Sequence, residues 1–320
     1  MKKNHGIGYI NNGLALTLSS GIFGLMVGLA PLPSYASENG LSHFPVGVNT
    51  MAAGLLPSQG SGEIAMYSEY SNDTYFAGKN GKGSVPGFDS SAFAVVPRML
   101  YTLPKDIDPL GVPVTIGVIA PIVNLNLNIG PEHGHIMGVG DIDFETDLQL
   151  NSPRNGFFSY AGLAIYFPVG SYNKSRLANL GQNYFTFHPQ YALSWFPSHN
   201  VELDNTVSAS FNTTNTATHY HSGASLYDEY SANYKLFPNA YPSFFIGVIG
   251  FAQKQFQDDT VNGTSFAGGF RSQSFGVGPQ FTYYMFHNHG GIILKYIHQY
   301  GVQNQAKGDE IWAEFAVPIQ

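Results

Sequence analysis

Four carboxylates stand at alternate positions of one short stretch, Asp141, Asp143, Glu145 and Asp147, and Gln149 continues the series. Acids so arranged could draw cations or turn anions away. A side-chain period of two puts them on one face of a β-strand and Ile142, Phe144, Thr146, Leu148 and Leu150 on the other, whereas a helix would scatter them. Same-face neighbours lie about 6.7 Å apart along a strand, too far for adjacent acids to chelate one small ion. The row therefore reads as a selectivity element of a wet pore or as the solvated wall of that pore. Arg98, Lys295 and also Lys235 are the bases expected to answer it from the same interior.

Histidine comes in three H-x-H pairs, His133/His135, His219/His221 and His287/His289. The first two are expected on outer loops, where four imidazoles meeting over a mouth would suit Zn²⁺, Cu²⁺ or Ni²⁺. Solvated loop histidines are the plainer reading, and no metal or other cofactor is assigned. A hydrolase of the outer-membrane phospholipase type needs His and Ser two apart on one strand face. No H-x-S occurs, and His188 has Thr186 and Gln190 as its same-face neighbours. No catalytic residues are expected, and the chain is read as not an enzyme.

The elements that carry these residues follow from composition and pattern. The 320 residues include no Cys, 37 Gly, 20 Tyr and 24 Phe, with 11% charged residues and a formal charge of -7. A cytosolic domain has about 25% charged residues, so this surface is not wholly aqueous. Without Cys there is neither disulfide framework nor thiolate chemistry. Nucleic acid is excluded as a partner, because no basic stripe exists to neutralise phosphates. Lys2 and Lys3 precede an apolar stretch from Gly13 to about Leu29, and Ser34-Tyr35-Ala36 offers small residues for cleavage. Residues 1–36 are thus expected to be a cleaved export signal, with a membrane anchor as the alternative. No later segment approaches the about twenty apolar residues of a spanning helix, so a membrane location implies a barrel.

Residues 37–61 show no clean alternation and read as a lead-in or plug segment, and 62–320 as the barrel. Period-two stretches recur through the latter. Phe185, Phe187, Pro189, Tyr191, Leu193 and Trp195 oppose His188 and Gln190; Val201, Leu203 and Val207 oppose Glu202 and Asp204; Phe275, Val277, Pro279 and Phe281 oppose Gln280. Twelve strands emerge, with long stretches such as 71–90 and 121–138 alternating with short turns. Connections after odd-numbered strands are expected to be long and those after even-numbered strands short, as in an up-and-down antiparallel transmembrane β-barrel with its termini in the periplasm. An antiparallel soluble sandwich is the competing fold. An acid facing lipid at mid-depth costs a few kcal/mol. Asp141, Asp143, Glu145, Asp147, Gln149, Arg98, His188, Gln190, Glu202, Asp204, Gln280 and Lys295 are therefore expected to line the lumen.

Several ordered pieces carry a resemblance. They are His43-Phe44-Pro45 with Gly47, Gly140-Asp141-Ile142, Phe167-Pro168-Val169-Gly170-Ser171-Tyr172 with Asn179-Leu180-Gly181, Gly250-Phe251 with Gln255 and Asp258-Asp259, Gly278-Pro279-Gln280, and Leu294-Lys295-Tyr296 with Gly308. Together they resemble a family of bacterial outer-membrane proteins named for the meta-cleavage pathway of phenol degradation. The resemblance implies an outer-membrane channel of a Gram-negative bacterium passing small hydrophobic or aromatic solutes. Its partners would be membrane lipid and lipopolysaccharide, the solute, and the barrel-insertion machinery. The alternative is a structural or surface-interaction barrel with a filled lumen.

Overall fold

A computed structural model describes residues 42–319 except 108–109, 152, 238–240 and 286–289, and leaves the side chains at 241 and 242 undescribed. The expected signal, residues 1–36, and the pair His287/His289 lie outside the described residues. The strands are β1 (Gly62–Ala77), β2 (Phe88–Thr102), β3 (Val114–Ile119), β4 (Ile122–Ile129), β5 (Glu132–Val139), β6 (Ile142–Gln149), β7 (Phe157–Phe167), β8 (Thr186–Ser198), β9 (Val201–Asn212), β10 (Tyr220–His221), β11 (Ser225–Phe237), β12 (Tyr241–Gln255), β13 (Thr260–Val261), β14 (Thr264–Ser265), β15 (Gln273–Met285), β16 (Gly290–Gln303) and β17 (Gln305–Ile319).

All sheet pairings are antiparallel. The main sheet runs β1-β17-β16-β15-β12-β11-β9-β8-β7-β6-β3-β2 and closes through β1–β2 into a twelve-stranded barrel. Closure pairs Gly62 with Ile319, so both ends of the barrel sequence share one rim. No described helix is long and apolar enough to cross a membrane; a closed sheet crosses instead because every wall strand has a partner on each side. The alternation seen in the sequence is physical. Asp147 is fully buried while Phe144 on the same strand is 53% exposed, and Met99, Tyr191, Val207, Val248, Leu294 and Ile311 likewise point outward. The barrel is thus apolar outside and polar inside, the inverse of a soluble sandwich.

The expected sorting of connections by length fails at three places, and the stretch 71–90, expected as one long loop, is shorter as a loop than expected. Strand β1 continues through Ala77, so much of 71–90 is wall: its polar residues suit a strand whose inner face is wet. Residues 121–138 are chiefly the hairpin β4–β5, paired from Ile122↔Val139 to Ile129↔Glu132. β2 pairs with β4 over Phe88–Val95 and with β3 over Arg98–Thr102, so β3 and β4 form one long strand broken at Pro121, which has no N–H to give the ladder. β5 and β6 are its broken partner. After β16 the supposed loop reduces to Asn304, which takes the left-handed conformation, φ 50°. The inner connection between β2 and β3, from 103 to 113, is the longer one. At the other rim β10, β13 and β14 make a small sheet over the mouth.

The lumen as candidate functional site

The interior is occupied by the chain's own residues 42–57, which descend from the loop-bearing rim to the rim of the termini. Ser42 meets the Tyr227 hydroxyl at 2.8 Å near the top. The N–H groups of Gly47 and Asn49 donate to Glu229 at 2.6 and 3.2 Å. Thr50 donates to Gln280 at 2.7 Å, Ala52 N–H to Glu202 at 2.9 Å, Ala53 N–H to Asp204 at 3.2 Å and Gly54 N–H to Ser194 at 2.9 Å. The Pro57 carbonyl accepts from Thr102 and Gln149, both at 2.8 Å, at the lower rim. A segment with Pro45, Gly47, Gly54 and Pro57 cannot run as a strand, so its backbone donors and acceptors look to wall side chains for partners. Two glycines are dictated by this fit. Gly47 has φ 97°, and a Cβ at Gly54 would lie 2.1 Å from the Phe158 carbonyl oxygen.

The acidic row proves to be four different environments. Asp141 Oδ2 lies 2.7 Å from His43 Nε2, and its carboxylate also accepts from the backbone N–H of Gly170 and Gln182, both at 2.8 Å. His43 Nδ1 lies 2.7 Å from Thr186, and its ring stacks on Tyr166 at 5.1 Å. Asp143 is directly opposite Tyr166 in the β6–β7 pair, and its Oδ1 is buried without a hydrogen-bond partner. Glu145 accepts from Arg98 Nε at 2.8 Å, while Arg98 Nη1 donates to the Tyr67 hydroxyl at 3.2 Å. Asp147 lies over Gly162, where a Cβ would sit 1.9 Å from its Oδ1. Gln149 ties the plug to Thr102 and Thr115 at 3.3 and 3.1 Å.

Lys295 does not answer that row. It forms an ion pair with Glu314 at 2.5 Å and donates to the carbonyls of Gly47 and Val48, both at 2.8 Å, and to Thr50 at 3.0 Å. Neighbouring strands β16 and β17 place it beside Glu314, nearer than the far wall. Lys235 lies over the Phe245 ring at 5.2 Å. His188 Nδ1 is 3.0 Å from Ser210, its Nε2 is unpartnered, and Phe44 stacks on its ring at 4.3 Å. Asp204 binds Ser194 and Ser231 at 2.5 and 2.9 Å, and Tyr284 donates to Glu202 at 3.0 Å. His133 and His135 stand on β5, not on a loop, each bonded to an asparagine of β4, Asn128 at 2.8 Å and Asn124 at 2.9 Å. Among the described residues no three metal-ligating side chains converge, so His219 and His221 do not join them in one site.

Beside the plug two cavities remain. The outer, about 270 Å³, is lined by Ala94, Val96, Ile119 and Val123 together with Asp141, Asp143, Glu145, Tyr166 and Gln190. The inner, about 150 Å³, is lined by Met51, Leu55, Glu63, Tyr284 and Glu314 among others. Both touch Val48, Asn49, Tyr67, Arg98 and Tyr160. These residues form a neck, and the Glu145–Arg98–Tyr67 chain crosses it. Sequence reading did not single out Tyr67, Glu69, Tyr160, Glu229 or Glu314. The alternation Tyr227, Glu229, Ser231, Asn233 would have put Glu229 inside, but nothing in the sequence says that it holds the plug.

A family model described as the MetA-pathway of phenol degradation matches residues 76–315. The fold is similar to the crystal structure of an outer membrane channel from Pseudomonas putida, with TM-score 0.70 and 16% identity, covering 86% of this chain and 100% of that one. More distant are the transport unit of the autotransporter AIDA-I from Escherichia coli, with TM-score 0.48, 10% identity and coverage of 90% and 97%, and the CymD monoaromatic hydrocarbon channel, with TM-score 0.43, 9% identity and coverage of 82% and 89%. No curated protein matches the chain in sequence.

Proposed function

The chain belongs to the MetA-pathway phenol-degradation family of outer-membrane barrels, and on that premise we propose that it is a passive channel for small hydrophobic or aromatic solutes. The observation that carries this reading is the pair of cavities meeting at one neck beside the plug. A dry cavity of about 150 Å³ holds a benzene ring, so each chamber accommodates one ring, and the apolar wall of Val96, Ile119 and Val123 offers it a face. A solute enters the outer chamber, passes when Arg98 swings from Glu145 and Tyr67, and leaves by the inner chamber. The lining residues bind and position the solute; no bond is made or broken in it. Residues 37–61 serve as the plug that narrows the lumen to this path, after export directed by residues 1–36. Lipopolysaccharide against the outer part of the apolar belt, and the barrel-insertion machinery during biogenesis, are its further proposed partners.

A second reading, a structural barrel with a filled lumen, draws on the many bonds between plug and wall. Planar-bilayer recordings separate the two. Discrete conductance steps, with uptake of one-ring aromatics into proteoliposomes, support the channel; silence from a barrel with intact circular dichroism supports the filled lumen.

A further inference from the structure

The outer chamber is lined by more carboxyl groups than its own bases pair with. Its ionisable walls are Glu69, Asp141, Asp143 and Glu145 against His43 and Arg98. His43 is engaged by Asp141, and Arg98 by Glu145. Glu69 and Asp143 form no ion pair among the described residues. Asp143 is 4% exposed, with Oδ1 lacking any partner, and His188, 1% exposed, brings an unpartnered Nε2 to the same cavity. A buried carboxylate oxygen without a donor is costly unless a donor arrives.

Aromatic and apolar surfaces face the same space. Phe44, Tyr166 and Trp312 line it together with Val96 and Val123. A volume of about 270 Å³ exceeds the roughly 150 Å³ that takes benzene, leaving room for one ring and a short side chain. The chamber thus combines two carboxyl groups outside any ion pair, an acceptor oxygen without a donor and ring faces that attract cations.

From this we propose that the outer chamber is a binding site for a one-ring aromatic ammonium ion. The ammonium is drawn to Asp143 and Glu69, and the ring lies among Phe44, Tyr166 and the Val96–Val123 wall. The inference rests on the channel reading and names the solute class that the path selects: cationic aromatics first, neutral ones next, aromatic carboxylates last.

Trp312 lines the chamber, and Trp195, the other tryptophan, stacks outside on Phe157 at 5.4 Å. Full-length protein carrying Trp195→Phe therefore reports on the chamber by its remaining fluorescence. Benzylamine, benzyl alcohol and benzoate are titrated in turn at pH 7. Benzylamine is expected to give a saturable change, with benzyl alcohol binding about tenfold more weakly and benzoate weaker still. Asp143→Asn, and separately Glu69→Gln, should each weaken benzylamine several-fold and leave benzyl alcohol nearly unchanged. Equal or tighter binding of benzoate, or benzylamine affinity unaltered in both variants, overturns the proposal. Bilayer conductance of the same protein keeps the two readings apart. A conducting barrel without preference for benzylamine removes the ammonium site alone, whereas a silent barrel that still prefers it keeps the site and removes the channel.

Discussion

Arg98 serves two purposes, and its substitutions separate them. It closes the neck and it is the cationic partner of Glu145, whose side chain is only 3% exposed. Removing one member of a buried pair costs about 3–5 kcal/mol. Arg98→Ala should therefore lower resistance to denaturant while raising single-channel conductance. Arg98→Ala with Glu145→Gln should recover much of the stability and keep the larger conductance; unchanged conductance in both would mean that the neck does not limit the path. A second test lies in the outer loops. Burial raises the Asp259 carboxyl to about 6, against the lowering effect of hydrogen bonds from Gly223, Tyr220 and Gln255. The folded loop then holds a proton that the unfolded chain has lost, so its stability is greatest at low pH, falls as pH rises toward about 6, and is flat above. Asp259→Asn should abolish that slope, read from amide exchange at Gly223, whose N–H donates to Asp259 at 2.7 Å. At this scale the sequence disclosed which face the acids occupy, because a period of two is a strictly local signal. Their partners were hidden: His43 lies 98 positions from Asp141, and Arg98 lies 47 from Glu145.

Among the elements, the plug and the β4–β5 hairpin were the least legible. In residues 122–129 isoleucine, valine and leucine do alternate with Asn124, Asn126 and Asn128, a period-two pattern obscured by Pro121 on one side and Gly130-Pro131 on the other. Polar loop composition and a polar strand face differ only in that alternation. The plug has no periodicity to read, because its conformation is imposed by the walls that accept and donate to it. Its fit can be disturbed at one point. Gly54→Val drives a branched side chain into the Phe158 carbonyl and the Ser194 backbone, and should displace the lower half of the plug. The barrel, paired strand to strand, should keep its circular dichroism while conductance rises severalfold. Conductance like that of the parent protein would show that residues 42–57 do not limit flow.

At the scale of the whole molecule, the apolar exterior is the feature the sequence rendered most faithfully, since closure makes every strand repeat the same inside–outside rule. Val248, 58% exposed near the centre of β12, tests it. Val248→Arg should cost about 2–4 kcal/mol in a bilayer, whereas Val248→Leu should be neutral, as measured by reversible folding into lipid vesicles. Closure also bears on the order of assembly. β1 meets β17 along a register from Gly62↔Ile319 to Ala77↔Gln305, and residues 42–57 lie within the ring that this seam completes. Before they arrive, Glu229, Glu202 and Asp204 face the interior without their backbone donors. The segment immediately ahead of β1 thus supplies those donors from within the ring that the β1–β17 seam completes.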